Sequence, residues 1–190
     1  MRRRTWMAAL VGVAIGVLAV TGCSKDEAGP TTLVLGDSLT VGAELGGLGG
    51  DGITVDAEEG RTTEEGIAIL EDTDLSDYDQ VVVALGTNDY TDSAEEYAPK
   101  IGRMLDAADG VPVIWVNVDT GTTKLAPAAD GVNAALALVE QDAARFTIAD
   151  WDDYINGRDD ADDLRAGDGV HDSSEGYRVR AEWMADVVAD

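Results

Sequence analysis

The chain alternates short apolar runs with longer helical patterns, and this alternation constrains its fold more than any other feature. Three runs are rich in β-branched residues and almost continuously apolar, as strands buried on both faces of a parallel sheet are: 32–35, 81–85 and 113–118. Weaker strand candidates lie at 53–55 and 146–149. The spacing of apolar residues predicts helices over 41–48, 63–70, 94–108, 128–144 and 174–188. The pattern therefore predicts an α/β fold, a three-layer α/β/α sandwich with a central parallel sheet of about five strands and about five helices.

Composition and charge exclude several classes of function. The 190 residues fit one domain, and 13 Lys and Arg against 38 Asp and Glu give a net charge of -25. This charge opposes binding to nucleic-acid phosphates, so we expect no nucleic-acid partner. The single cysteine and the single histidine exclude an intramolecular disulfide and a zinc site of the usual ligands. We expect no cofactor and no metal ion, although the 26 aspartates leave a carboxylate-bound metal hydrolase as an alternative.

The N-terminal segment has the pattern of an export signal. Three arginines at 2–4 precede an apolar run over 6–20, which is shorter than the roughly 20 residues of a spanning helix. Residues 20–23, Val-Thr-Gly-Cys, resemble the bacterial lipobox, which implies cleavage before Cys23 and acylation of its thiol. We therefore expect a lipoprotein signal peptide at 1–22, an acylated tether at 23–30 and a folded domain at 31–190. An ordinary secretory signal is the alternative.

This interpretation places the mature protein outside the cytoplasm, bound to the cell membrane by its lipid. Stable attachment takes about two acyl chains, which lipoprotein processing would supply. Loss of residues 1–22 removes three arginines and no acid, which lowers the net charge by three, from -25 to -28. The membrane partner would therefore be reached through the anchor and not through the acidic domain surface.

Reactive groups of an open parallel sheet gather where the strands end, so the residues that follow each apolar run are informative. Gly36-Asp37-Ser38 follows the run at 32–35, and Gly60 lies a few residues after the weaker candidate at 53–55. Gly86-Thr87-Asn88-Asp89 follows the run at 81–85, and Asp168 and His171 precede the last helix. A serine at a strand-to-helix turn is exposed at the rim of the sheet, beside the positive end of a helix. Ser38 is thus the candidate nucleophile.

A serine hydroxyl needs a base within hydrogen-bond reach, and His171 is the only imidazole of the chain. Asp168 lies three residues before it, a spacing that lets the carboxylate accept a hydrogen bond from one ring nitrogen and fix the tautomer. The sequence therefore predicts a catalytic triad of Ser38, His171 and Asp168.

The four blocks, in this order, resemble those of the SGNH hydrolases, also called GDSL esterases and lipases. The resemblance covers about residues 32–183 and implies a flavodoxin-like fold and ester hydrolysis through an acyl-enzyme. It also implies an oxyanion hole built from the backbone N–H groups of Ser38 and Gly60 and the side-chain amide of Asn88. The G-x-S-x-G pattern of α/β-hydrolases is absent, because position 40 is threonine. We interpret Asp37, Thr40 and Asp89 as structural residues that hydrogen-bond to nearby backbone.

These residues predict a monomeric extracytoplasmic serine esterase that removes a short acyl group, such as acetyl, from a cell-envelope glycan or lipid. The small size of the domain predicts an open site. Two alternatives remain at this point: an acyltransferase that uses the same residues, and a non-catalytic lipoprotein that binds a glycan or solute.

Overall fold

A five-stranded parallel sheet forms the centre of the molecule in a computed structural model, which describes residues 29–89, 93–122, 124 and 126–189. The strand order is β2-β1-β3-β4-β5, and every pair is parallel. All five predicted strands are present: β1 Thr32–Gly36, β2 Ile53–Ala57, β3 Gln80–Ala84, β4 Val113–Val116 and β5 Phe146–Ala149. The strand prediction is confirmed.

The position of β1 explains where a site forms. The chain runs from β1 to β2 on one side and returns to β3 on the other, so the strand order reverses beside β1. Ligand sites of such sheets lie at this switch point, outside the carboxyl ends of the strands. Gly36 at the end of β1 lies opposite Ala57 of β2 and Ala84 of β3, so the loops after these three strands leave the sheet at one level.

Seven helices are present among the described residues and cover both faces of the sheet. On one face α2, α3 and α4 pack together, and on the other α1 packs against α7. Side chains along β1 point alternately to the two faces of the sheet, so Leu33 and Leu35 join one core cluster and Val34 joins the other. The three-layer prediction is therefore confirmed. The helices are α1 Ser38–Leu45, α2 Thr63–Glu71, α3 Ala94–Ala107, α4 Ala126–Glu140, α5 Trp151–Asn156, α6 Ala161–Leu164 and α7 Ser174–Ala189.

The boundaries of two helices differ from the prediction. Helix α1 begins at Ser38 and not at position 41, because the Asp37 side chain caps it. Helix α4 ends at Glu140 and not at position 144, because the chain turns at 141–142. The prediction of about five helices was also low: the acidic stretch 150–163 holds α5 and most of α6. Their apolar residues Trp151, Ile155 and Leu164 are buried.

The described chain enters the sheet at the amino end of β1. The backbone N–H and the hydroxyl of Thr31 both donate to Asp79 Oδ2 at 2.8 Å, which ties the entry point to the residue before β3. Residues 1–28, with the predicted signal peptide and Cys23, lie outside the described residues. No described helix has the length and apolar character needed to cross a membrane.

Candidate active site

Ser38 is the first residue of α1 and follows β1 after one intervening residue. That residue, Asp37, caps the helix: its Oδ1 accepts the Leu39 N–H at 2.9 Å, and its carbonyl oxygen accepts the Thr40 N–H at 3.0 Å. The Ser38 N–H lies in the first turn, where backbone N–H groups have no partner within the helix. The helix N-terminus therefore presents a donor and positive potential beside the Ser38 hydroxyl.

Close packing at this turn explains the glycine before Asp37. A Cβ at Gly36 would lie 2.0 Å from Thr40 Oγ1, so only glycine fits there. The interpretation of Thr40 as a side-chain to backbone hydrogen-bonder is wrong, because its buried hydroxyl has no hydrogen-bond partner among the described residues. Thr40 instead fills the space over Gly36, and this contact sets the distance between β1 and the start of α1.

The structure brings Ser38, His171 and Asp168 into one chain of hydrogen bonds. Ser38 Oγ lies 3.1 Å from His171 Nε2, and His171 Nδ1 lies 2.7 Å from Asp168 Oδ2. A carboxylate only accepts, so the proton on the ring belongs on Nδ1. Nε2 is then an acceptor and faces the Ser38 hydroxyl, which is the arrangement that a general base needs.

Hydrogen bonds keep Asp168 ionised. Its Oδ1 accepts the backbone N–H groups of His171 and Val170, both at 2.9 Å. The backbone N–H of His171, the His171 ring and the backbone N–H of Val170 hold the pKa of this carboxyl well below its usual range. Asp168 therefore carries its charge at every pH at which the protein would work, and it stabilises the imidazolium when His171 takes up a proton.

We call residues 165–173 the acid–base loop, and its two ends are fixed by ion pairs. Arg165 donates to both carboxylate oxygens of Asp119 at 2.8 and 2.9 Å, and Arg180 Nε donates to Asp172 Oδ2 at 2.7 Å. Both side chains of the Arg180–Asp172 pair are at most 5% exposed. The Ala166 N–H donates to the carbonyl oxygen of His171 at 2.8 Å. His171 thus projects from a loop that is anchored on both sides.

Arg61 organises the loop after β2. Its Nη1 donates to the carbonyl oxygens of Gly36 at 3.1 Å and Asp56 at 2.6 Å, and its Nη2 pairs with Asp56 Oδ1 at 2.7 Å. The side chain is 6% exposed, so these bonds lie largely away from solvent. Gly60, directly before it, has a φ of 79°, a conformation that favours glycine. Arg61 therefore holds the Gly60 loop against the end of β1.

Asn88 lies between this loop and the start of α1. Its Nδ2 donates to the carbonyl oxygen of Arg61 at 3.1 Å and lies 3.4 Å from Asp37 Oδ2. The next residue, Asp89, accepts the N–H and the hydroxyl of Thr63 and pairs with Lys100, which confirms its structural interpretation. The rim of the sheet thus gathers the residues of all four sequence blocks.

The surroundings of this rim are open on one side and closed on the other. The side chains of His171 and Asp168 are 38% and 48% exposed, whereas Asp37 is 1% exposed. Burial raises the pKa of Asp37 to about 6, although the Leu39 N–H and Arg180 act in the opposite direction. Reactants can therefore reach His171 from solvent, while Asp37 lies beneath it. The described residues contain no group of three or more histidine, cysteine or acidic side chains arranged to hold a metal ion.

Sequence reasoning missed the residues that support this site. Arg61, Arg165 and Arg180 bind partners that are 25, 46 and 8 residues away. Only Arg61 had a sequence signal, its place directly after Gly60. The other two depend on how α6 and α7 pack, which no local pattern shows.

Solved structures provide the comparison. No family model and no curated protein sequence matches the chain. The catalytic domain of peptidoglycan O-acetyltransferase A from Streptococcus pneumoniae is 21% identical, with a TM-score of 0.66 over 83% of this chain and 92% of that one. A lipase/acylhydrolase from Enterococcus faecalis is 20% identical, with a TM-score of 0.61 over 83% and 95%. A member of the lipolytic G-D-S-L family from Veillonella parvula is 18% identical, with a TM-score of 0.66 over 82% and 96%.

The chain has the SGNH hydrolase fold. At these identities the likeness extends to the arrangement of helices and strands, and each match covers nearly the whole of the other protein. The fold class implied by the sequence resemblance is therefore confirmed. In this SGNH hydrolase fold, the serine, glycine, asparagine and aspartate–histidine blocks meet at the rim described above. The fold brings these residues together and does not by itself assign their chemical roles.

Proposed function

We propose that the protein is a serine esterase that removes a short acyl group through an acyl-enzyme on Ser38. The observation that carries the proposal is the pair of hydrogen bonds from Ser38 Oγ to His171 Nε2 at 3.1 Å and from His171 Nδ1 to Asp168 Oδ2 at 2.7 Å. The histidine is unique in the chain, and its environment fixes the tautomer that a general base requires. The structural likeness to esterases and acyl-transfer enzymes supports the reaction class.

The first half of the reaction forms the acyl-enzyme. Ser38 Oγ attacks the ester carbonyl carbon while its proton passes to His171 Nε2, and the carbonyl oxygen becomes an oxyanion. We assign the oxyanion donors to the Ser38 and Gly60 N–H groups and to Asn88 Nδ2. The intermediate collapses when the bond to the alcohol oxygen breaks and His171 returns its proton to the leaving alcohol.

The second half regenerates the enzyme. A water molecule gives a proton to His171 Nε2 and attacks the acyl carbon, which forms a second oxyanion in the same place. Collapse releases the carboxylic acid, and the proton on His171 returns to Ser38 Oγ. Asp168 holds the imidazole ring in place in both halves and stays ionised, as its hydrogen bonds require.

Removal of the nucleophile tests the proposal. We expect the mature domain to hydrolyse p-nitrophenyl acetate and the Ser38→Ala variant to lose at least about 10³-fold in kcat. Ser76→Ala is the matched control, because Ser76 is exposed in the loop after α2. Equal activity of the wild type and Ser38→Ala, or a wild type inert toward all acyl lengths from acetate to palmitate, would refute the esterase.

A glycan of the cell envelope is the substrate class that we propose, with the protein exported and held by a lipid on Cys23. The described chain enters at the amino end of β1, and Ser38 lies at the other end of this five-residue strand, about 16 Å away. A tether over 24–30 reaches at most about 25 Å. An anchored monomer would thus have its site at the end of the domain opposite the tether, which favours a wall polymer over a lipid of that membrane.

Three measurements test these parts of the proposal separately. Mass spectrometry of membrane extracts should find acyl chains on Cys23, and an unmodified Cys23 would refute the anchor alone. Preference for p-nitrophenyl acetate over palmitate and release of acetate from an O-acetylated glycan are expected for the substrate. A strong preference for palmitate would contradict the short-chain assignment.

Acyl transfer is the second candidate, and the likeness to the catalytic domain of a peptidoglycan O-acetyltransferase favours it. The acyl-enzyme would then pass its acyl group to a sugar hydroxyl, which would lose its proton to His171 as water does. Transfer and hydrolysis are distinguished by adding a chitooligosaccharide to the p-nitrophenyl acetate assay. Acetylated sugar as the main product would identify a transferase, and free acetate as the main product an esterase.

A further inference from the structure

The side-chain amide of Asn88 is oriented by two acceptors. Nδ2 carries two hydrogens and lies 3.1 Å from the Arg61 carbonyl oxygen and 3.4 Å from Asp37 Oδ2. A carbonyl and a carboxylate both accept only, so the NH2 end of the amide points toward Asp37 and the Gly60 loop. The contact with Asp37 is longer than the usual 2.7–3.2 Å. Asp37 therefore orients this side of the amide without a short hydrogen bond that would compete strongly with an oxyanion.

Asp37 needs both carboxylate oxygens as acceptors. Oδ1 accepts the Leu39 N–H at 2.9 Å, and Oδ2 faces Asn88 Nδ2. The Thr87 side chain also favours the ionised form of this carboxylate and so lowers its pKa. Asp37 is 1% exposed, so bulk solvent offers little to replace a lost partner. A neutral carboxylic acid has only one oxygen left as a strong acceptor, and two fixed donors compete for it.

Burial and the charges around Asp37 act on its ionisation in opposite directions. A small cavity separates it from Asp119, which is itself paired with Arg165. Arg180 favours the ionised form of Asp37 but is shared with Asp172, so one buried guanidinium faces two carboxylates. Burial raises the pKa of Asp37 to about 6. The other titratable groups that face Asp37 are His171 of the acid–base loop, Tyr97 of α3 and Tyr177 of α7.

We propose that Asp37 is a positioning residue that holds the Asn88 amide toward the oxyanion, and that uptake of a proton by Asp37 releases this amide and lowers turnover. The inference rests on the proposed esterase function, because it concerns the same oxyanion. It adds a second group whose ionisation controls the rate, besides His171. The step is a proton transfer from solvent to a carboxylate oxygen, and no bond of the substrate changes in it.

The predicted consequence is a steeper acid limb of the pH profile. Uptake of a proton by either Asp37 or His171 then lowers the rate, so the slope of log kcat/KM against pH rises clearly above one on the acid side. A purely structural Asp37 would leave the slope at one, from His171 alone. Wild-type kinetics with p-nitrophenyl acetate between pH 4.5 and 8 measure this slope, and a slope of one would overturn the inference.

The Asp37→Asn variant tests the same group by substitution. Asparagine caps a helix as well as aspartate does, so α1 should still begin at position 38. One end of the new amide is a donor, so it cannot accept from both Leu39 and Asn88. We expect kcat to fall about 10- to 100-fold, less than the roughly 10²–10³ expected for removing an oxyanion donor. KM should change little, and the acid limb should have a slope of one.

Control variants distinguish a failure of the Asp37 inference from a failure of the esterase proposal. Asp77→Asn changes an exposed aspartate at the far end of the sheet and should keep the wild-type rate and slope. Asp37→Ser also keeps a capping hydroxyl for α1 and serves if Asp37→Asn does not fold. An active wild type that depends on Ser38, with an unchanged slope in both Asp37 variants, would refute only this inference. Activity that is independent of Ser38 would refute the esterase itself.

Discussion

At the scale of single residues, the site depends on which atoms accept and which donate. Asp168 accepts the His171 Nδ1–H and two backbone N–H groups, so a change that turns one oxygen into a donor should disturb the ring and the loop together. Asp37 accepts from Leu39 and faces Asn88 in the same way. Two aspartates that look alike in the sequence therefore have pKa values shifted in opposite directions, because hydrogen bonds lower the pKa of Asp168 and burial raises that of Asp37.

The Asp168→Asn variant should lose about 10⁴-fold in kcat while it keeps its fold. The amide places a donor near Nδ1, so the proton of the ring moves to Nε2 and the base toward Ser38 is lost. The measurement is p-nitrophenyl acetate hydrolysis, with circular dichroism to confirm folding. Asp159→Asn is the matched control, since Asp159 is an exposed aspartate in the segment between α5 and α6. A loss below about tenfold in Asp168→Asn would remove this residue from the triad.

The stability of the Asp37→Asn variant should depend on pH relative to the wild type. The folded pKa of Asp37, about 6, lies above its ordinary value of 3.8, so the stability that the neutral form contributes is present below pH 3.8 and is lost as the pH rises through 6. Asparagine stays neutral. The difference in free energy of unfolding, variant minus wild type, should therefore grow by about 3 kcal/mol between pH 3.5 and 7.5. Urea unfolding at both pH values measures it, and a difference that does not change with pH would contradict the burial of a charge at this position.

At the scale of helices and strands, local patterns predicted the scaffold. The β-branched runs predicted β1, β3 and β4. Thr62 and Glu65 form a capping box where α2 begins. The start of α1 was placed three residues late, although Asp37 is a strong capping residue, because the apolar pattern becomes helical only from Val41. Contacts between distant elements could not be predicted. The pairing of Arg180 with Asp172 exists only after α7 packs against the sheet.

The meeting of Ser38, His171 and Asp168 could be predicted, because it depends on a short sequence separation and on where a strand ends. Asp168 and His171 are three residues apart, so one turn of chain brings them together, and Ser38 lies at a strand end that the fold carries to the same rim. Asn88 and Gly60 come from the ends of neighbouring strands in the same way. The burial of Asp37 is different, because it depends on Arg180, Thr87 and the packing around the small cavity. Sequence reasoning therefore predicted which residues meet at the rim but not the burial of Asp37 beside them.

The Thr62→Ala variant tests the capping of α2. The Thr62 hydroxyl accepts the Glu65 N–H, and the Glu65 carboxylate accepts the Thr62 N–H, so both ends of the box satisfy free N–H groups. Loss of the hydroxyl should lower the free energy of unfolding by about 1 kcal/mol. Glu65→Ala and the double variant complete a double-mutant cycle. The sum of the two single losses of unfolding free energy should exceed the loss in the double variant. Strictly additive losses would show that the box does not act as a unit.

At the scale of the whole molecule, charge and openness determine which esters reach the site. The chain carries a net charge of -25, and the His171 side chain is 38% exposed at the rim. Glu58, in the loop before Gly60, is 77% exposed and adds negative charge near the proposed oxyanion hole. A field of one sign raises the local concentration of oppositely charged substrates and lowers that of like-charged ones. The acidic surface would thus favour neutral and cationic acyl esters.

Salt dependence of the rate should reveal this field. Between about 0.01 M and 1 M salt the Debye length falls from about 30 Å to about 3 Å, so the surface charges cease to act on an approaching substrate. We expect kcat/KM to fall with salt for acetylcholine, to rise for the anionic 4-acetoxybenzoate and to stay constant for neutral p-nitrophenyl acetate. Each substrate is compared with itself, so differences in leaving-group reactivity cancel. A Glu58→Gln, Glu59→Gln variant should show weaker trends in both directions, because it removes two of the acidic groups next to Gly60. Equal responses of all three esters would mean that the charge of the molecule does not act at its active site.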